Sequence, residues 1–134
     1  QARLSVATLD QLGAAALYGV DPGYFDATRN EYRRRRDTCY RKLLEIPGIV
    51  TTEPQGAFYT MAKLPVDSTE SFQLYLLQEF EDNGETVMFA PGSGFYATPG
   101  AGTSEIRIAY VRCVEELERS LTLLRLAIER YNQK

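Results

Sequence analysis

SGFYATPGAGTSEIRIAYVRC, residues 93–113, is the stretch on which the fold turns. Its second half, 104–111, alternates like a strand, while its first half carries the glycines and proline of an irregular loop. In the strand, Ile106, Ile108 and Tyr110 share one face; Glu105, Arg107, Ala109 and Val111 share the other. Arg107 therefore stands in mid-strand on the less apolar face, beside small Ala109. Two roles are open to it. A guanidinium is planar and forked, so it grips a carboxylate through two parallel hydrogen bonds. The alternative is an exposed or ion-paired strand arginine, bridged to Glu105 or Glu116. Pattern alone favours the alternative.

Outward from this stretch the chain alternates helices with short strands. The glycines and prolines of 91–103 mark the loop, and 86–90 before it reads as a strand of β-branched and apolar residues. Asn83-Gly84 stops a helix that opens at Asp67, with Glu70 at capping-box spacing, and runs to 82. Segments 49–53 and 57–62 read as a hairpin turning at PQG. Asp21-Pro22 supplies a cap and a first helical residue for a long helix to 46, stopped by Pro47-Gly48. An Ala- and Leu-rich helix over 5–19 precedes it, with Gly19 as its stop. After the arginine strand, 115–131 is an amphipathic helix through Leu117, Leu121, Leu124 and Ile128. Short strands flanked by helices predict an α+β two-layer unit, a small mixed or antiparallel sheet covered by helices.

Composition narrows the chemistry. The 134 residues are 44% hydrophobic and 25% charged with a net charge of −3, so no global field favours nucleic acid or membrane. Histidine is absent, which excludes Ser-His and Cys-His nucleophile pairs and histidine metal sites within this chain. Cys39 and Cys113 have no metal-ligand spacing and read as reduced thiols, in keeping with a cytoplasmic setting. No apolar run approaches the roughly 20 residues that span a bilayer. The chain begins with Gln rather than Met and is read as a piece of a longer protein.

Other motifs carry less. PGSGFYATPGAG, residues 91–102, lacks the Gly-Lys-Ser/Thr ending of a phosphate-binding P-loop and reads as a connector running close past something. The four arginines of YRRRRD, residues 32–37, fan around a helix instead of forming one face. Lys42, Lys63 and Lys134 are the only lysines, and none has the setting of a desolvated nucleophile.

The order of the motifs says more than any one of them. Y-x-x-R-R-D (Tyr32, Arg35, Arg36, Asp37) lies on the long helix, P-x-G-A-F-Y follows at 54–59, P-G-S-x-F at 91–95 and E-I-R-I-A-Y at 105–110. Together, over nearly all of the chain, they resemble the C-terminal region of class I/II, fold-type I pyridoxal-phosphate aminotransferases of the aspartate aminotransferase kind. The resemblance implies that Arg107 holds the α-carboxylate of an amino acid substrate or 2-oxo acid product. It implies a small domain over 21–134, with a long interdomain helix at 21–46 and a helix within 1–20 that packs on a missing large domain. It also implies pyridoxal 5'-phosphate and a homodimer for the full-length protein. The lysine, aspartate and phosphate-binding residues that hold the cofactor lie upstream in that family. No catalytic, cofactor-binding or metal residue is therefore expected in this chain, which alone should be inactive. YATPGAGTS, residues 96–104, is longer than the family's connection before the arginine strand and bears on substrate access. A related lyase, decarboxylase or aminocyclopropane-carboxylate synthase would use a similar arginine, and a non-catalytic domain binding small carboxylates or a partner protein is a rival of another class.

Overall fold

The computed structural model describes residues 5–134. The expected segment 1–20 is seen from residue 5 onward, and its first four residues lie outside the described ones. The chain divides into two compact units, 1–31 and 32–134, with the boundary inside a long helix.

In the first unit, α1 (Thr8–Ala15) passes into a 3-10 turn, Ala16–Gly19. Helix α2 (Pro22–Leu44) starts here, where the Asp21 carboxylate accepts the Gly23 N–H at 2.7 Å, as its capping role predicts. None of the residues of α1 is buried, and Leu9 and Tyr18 are 82% and 95% exposed.

The second unit holds the sheet, whose strands are β1 (Val50–Thr51), β2 (Tyr59–Lys63), β3 (Ala90–Pro91) and β4 (Glu105–Ala109). Their spatial order is β1-β2-β4-β3, and every pairing is antiparallel. β4 is thus an interior strand, with Arg107 opposite Met61 on one side and Ala90 on the other. Helices α3 (Thr69–Gln78) and α4 (Val114–Tyr131) join the second half of α2 around the core. Leu43, Ala62, Leu64, Phe72, Ile106 and Tyr110 are among its buried residues. α4 forms as expected. Glu115 and Glu116 complement the dipole in its first turn and Arg130 in its last, and Leu117, Leu121, Leu124 and Ile128 are all buried.

Three expectations are corrected. The cap of α3 is Ser68, whose hydroxyl accepts the Ser71 N–H at 3.4 Å. Asp67 instead accepts the Ser68 N–H at 2.8 Å and the Tyr131 hydroxyl at 2.9 Å. α3 also ends at Gln78, short of 82, because Glu79 leaves helical geometry at φ −132° and Phe80 turns into the core. The chain then reverses through Asn83 and Gly84, at φ 56° and 75°. Finally, only Ala90 and Pro91 of the expected strand 86–90 with its neighbour pair with β4. The Thr86 hydroxyl donates to the Leu76 carbonyl at 2.9 Å, which ties this segment to the end of α3 and draws it away from β4. Among the described residues no helix is long and apolar enough to cross a membrane.

Candidate functional site

Alternation along β4 places its residues as the sequence requires. Ile106 and Tyr110 are buried, while Arg107 and Ala109 are exposed on the opposite face. Register supplies the neighbours. Tyr59 pairs with Ala109 and is therefore diagonal to Arg107, and the small alanine leaves room between ring and guanidinium. The Arg107 Cζ lies 5.4 Å from the Tyr59 ring centroid and 4.5 Å from that of Phe95.

Phe95 arrives by a different route. It ends a 3-10 turn, Gly92–Phe95, that follows β3 directly. A Cβ on Gly92 would stand 2.7 Å from the Glu105 carbonyl oxygen, so only glycine lets this turn press against β4. Gly102, at φ 70°, closes the loop from the other end, against the Tyr96 ring. The close approach expected of this glycine-rich loop is thus to the arginine strand itself.

The two carboxylates considered as partners for Arg107 are engaged elsewhere. Glu105 accepts the Tyr96 hydroxyl, which pushes that phenol's pKa up, and Glu116 lies 3.6 Å from Arg112. Among the described residues no carboxylate forms an ion pair with Arg107. A groove opens beside it, lined by Met88, Ala90, Ile108, Leu121 and Leu124. The site is therefore a cation with an open side, flanked by two aromatic rings, on a strand fixed from both edges.

Of the remaining motifs, YRRRRD falls outside it and P-x-G-A-F-Y contributes only its last residue, Tyr59. The arginines of 32–37 do fan: Arg35 donates to the Val111 carbonyl at 2.7 Å, and Arg36 pairs with Asp37 at 2.6 Å. In the PQGAFY turn the Tyr110 hydroxyl donates to the Gly56 and Ala57 carbonyls. Tyr59 and Phe95 were not legible as site residues, since one depends on cross-strand register and the other on loop geometry. Among the described residues no cluster could hold a metal ion.

The family described as aminotransferase class I and II matches residues 3–123. The chain belongs to that family. This aminotransferase chain is 30% identical over 132 residues to an aspartate aminotransferase of Bacillus subtilis (strain 168), covering 93% of this chain and 31% of that enzyme. It is 33% identical to an aspartate aminotransferase of Bacillus sp. (strain YM-2), covering 94% of this chain and 30% of that one. Among solved structures, an alanine aminotransferase from Pyrococcus furiosus superposes with a TM-score of 0.77 at 31% identity, over 96% of this chain and 31% of that one. The chain thus spans about a third of the length of the relatives it matches, and its α+β fold is theirs over that span.

Class I and II aminotransferases depend on pyridoxal phosphate. The residues of this chain do not make a holder for it. Its covalent link requires a lysine amine, and here Lys42 is paired with Glu45 at 2.8 Å, Lys134 bonds Glu79, and Lys63 is exposed on β2.

Proposed function

We propose that this chain is the small, C-terminal domain of a pyridoxal-phosphate-dependent aminotransferase. The full-length enzyme moves an amino group between an α-amino acid and a 2-oxo acid, and Arg107 receives their common α-carboxylate. The observation that carries the reading is Arg107 itself. It is a permanently charged fork on an interior strand, its edge open and its neighbouring acids occupied.

The chemistry suits both halves of the reaction. Amino acid and oxo acid differ at the α-carbon and share the carboxylate, so one bidentate donor serves each in turn. Holding the carboxylate at two points also restricts rotation of the α-carbon, so that its C–H bond is presented in one direction. Pyridoxal phosphate would be held by residues outside this chain, and its chemistry there would be that of an electron sink.

Aspartate is the proposed amino donor, on the strength of the several similar enzymes named aspartate aminotransferase. The exposed apolar residues of α1 and the turn after it, Leu9, Leu12, Leu17 and Tyr18, support a helix that packs on a large domain. The working form is proposed to be a cytoplasmic homodimer, and both cysteines being free is in keeping with a reducing compartment.

The test is a half-reaction. The full-length protein, loaded with pyridoxal phosphate and given L-aspartate without an oxo-acid acceptor, should release oxaloacetate in proportion to its active sites and then stop. Release of oxaloacetate with no other amino acid doing better supports both proposals. No oxo acid from any common amino acid would overturn the transaminase reading.

A further inference from the structure

We propose that Phe95, with Tyr59, is a positioning residue for Arg107: the rings hold the guanidinium in the orientation in which its edge meets the substrate carboxylate. This rests on the reading of Arg107 as the carboxylate clamp.

Burial does not explain where these rings are. Phe95 is 48% exposed and Tyr59 43% exposed, and neither belongs to the core. What they share is the Arg107 guanidinium, over which both rings lie. Phe95 is brought there by constrained backbone, since Pro91 is paired with Ile106 and Gly92 has no space for a side chain. Tyr59 is fixed by its pairing with Ala109. Both supports are thus set by backbone geometry.

The geometry of the contact matters. A ring stacked on a guanidinium occupies its flat face and leaves the N–H donors, which lie in the plane, pointing outward. Such a contact can fix an arginine without consuming its hydrogen bonds, whereas a carboxylate partner would compete with substrate. Arginine is otherwise a long side chain that loses much rotamer freedom when it grips a ligand. Contact with the two rings imposes part of that loss beforehand. Tyr96 completes the arrangement by taking up Glu105, the acid two residues away on the same face.

The experiment uses the full-length, cofactor-loaded enzyme and the amino acid it transaminates best. Binding is read separately from turnover with the 2-methyl analogue of that amino acid, which has no α-hydrogen to lose. Phe95→Leu should raise the Kd of the analogue about fivefold and lower kcat/KM by a similar factor. Phe95→Tyr, which keeps the ring, should stay within about twofold of the original. On an Arg107→Gln background, with no cation to hold, Phe95→Leu should change the Kd by less than about twofold. Equal weakening on both backgrounds would make Phe95 a structural support and overturn the proposal, as would an unchanged Kd in Phe95→Leu alone. If Arg107→Gln itself leaves the Kd unchanged, the clamp fails and the positioning role goes with it.

Discussion

The hydroxyl of Tyr110 donates at 3.1 Å to the carbonyl oxygen of Ala57, a residue held at φ 60°. The same hydroxyl lies 3.2 Å from the Gly56 carbonyl, and the Tyr110 N–H donates to Phe58 at 2.9 Å. The end of the arginine strand therefore pins the turn that delivers Tyr59 to Arg107. It does so against a local preference, because alanine in the left-handed region is strained.

Two substitutions follow with opposite signs. Ala57→Gly removes the strain and should stabilise the protein by about 0.5 kcal/mol, after the greater freedom of glycine in the unfolded chain is allowed for. Tyr110→Phe keeps the buried ring and leaves the turn carbonyls without their donor, costing about 1–2 kcal/mol. Denaturant midpoints at constant slope measure both, and a destabilised Ala57→Gly would show that the turn is not strained.

The two thiols should differ sharply in reactivity. Cys39 is 1% exposed and burial pushes its pKa up to about 12, whereas Cys113 is exposed at the start of α4. A maleimide at neutral pH should add one label per native chain, at Cys113, because the attacking species is the thiolate. Mapping the label by mass spectrometry checks this; rapid labelling of Cys39 would mean that α2 opens readily from the core.

Asp67 gives stability a defined dependence on acid. The Ser68 N–H, and after it the Tyr131 hydroxyl, hold its pKa below the ordinary 3.8. A lowered folded-state pKa contributes stability that is present above the unfolded value and is lost as pH falls through the folded one. Asp67→Asn should therefore lower Tm at pH 7, and the difference from the original should close as the pH falls below 3.8. A gap that persists undiminished in acid would assign the effect to packing. On the alkaline side Tyr131, its pKa raised first by burial and then by Asp67, loses its contribution as pH climbs above 10.

Tyr96 is expected to matter through Glu105. Tyr96→Phe frees this acid, which lies on the same face of β4 as Arg107 and would then compete with substrate for the guanidinium. For an exposed pair of this kind the rise in KM should be up to about fivefold, with kcat little changed. Steady-state kinetics of the full-length enzyme decides it, and an unchanged KM would show that Glu105 does not reach Arg107.

Much of this was legible where the physics is local. α2 was readable from its cap and stop signals, and α4 because a repeating apolar face determines both the helix and what it buries: Leu117, Leu121, Leu124 and Ile128 lie where their spacing put them. The outward face of Arg107 followed from the alternation of β4. Local signals failed where a distant partner decides. Asp67 and Ser68 are both good caps, and Asp67 lost the role because Tyr131 claims it from 64 residues away. Segment 86–89 has the composition of a strand whether or not a neighbour pairs with it, and the Thr86 bond to Leu76 keeps it apart. The company of Arg107 was hidden for the same reason, since Tyr59 and Phe95 reach it through strand register and a glycine turn.

The role of Arg107 is tested most directly by Arg107→Lys in the full-length enzyme. Lysine keeps the charge and loses the fork. If Arg107 grips the α-carboxylate, kcat/KM for the amino acid and for its 2-oxo acid partner should both fall by about tenfold to about a hundredfold. The thermal unfolding midpoint should barely move, because the side chain is exposed. An unchanged kcat/KM would contradict the clamp and leave Arg107 a surface arginine on the central strand.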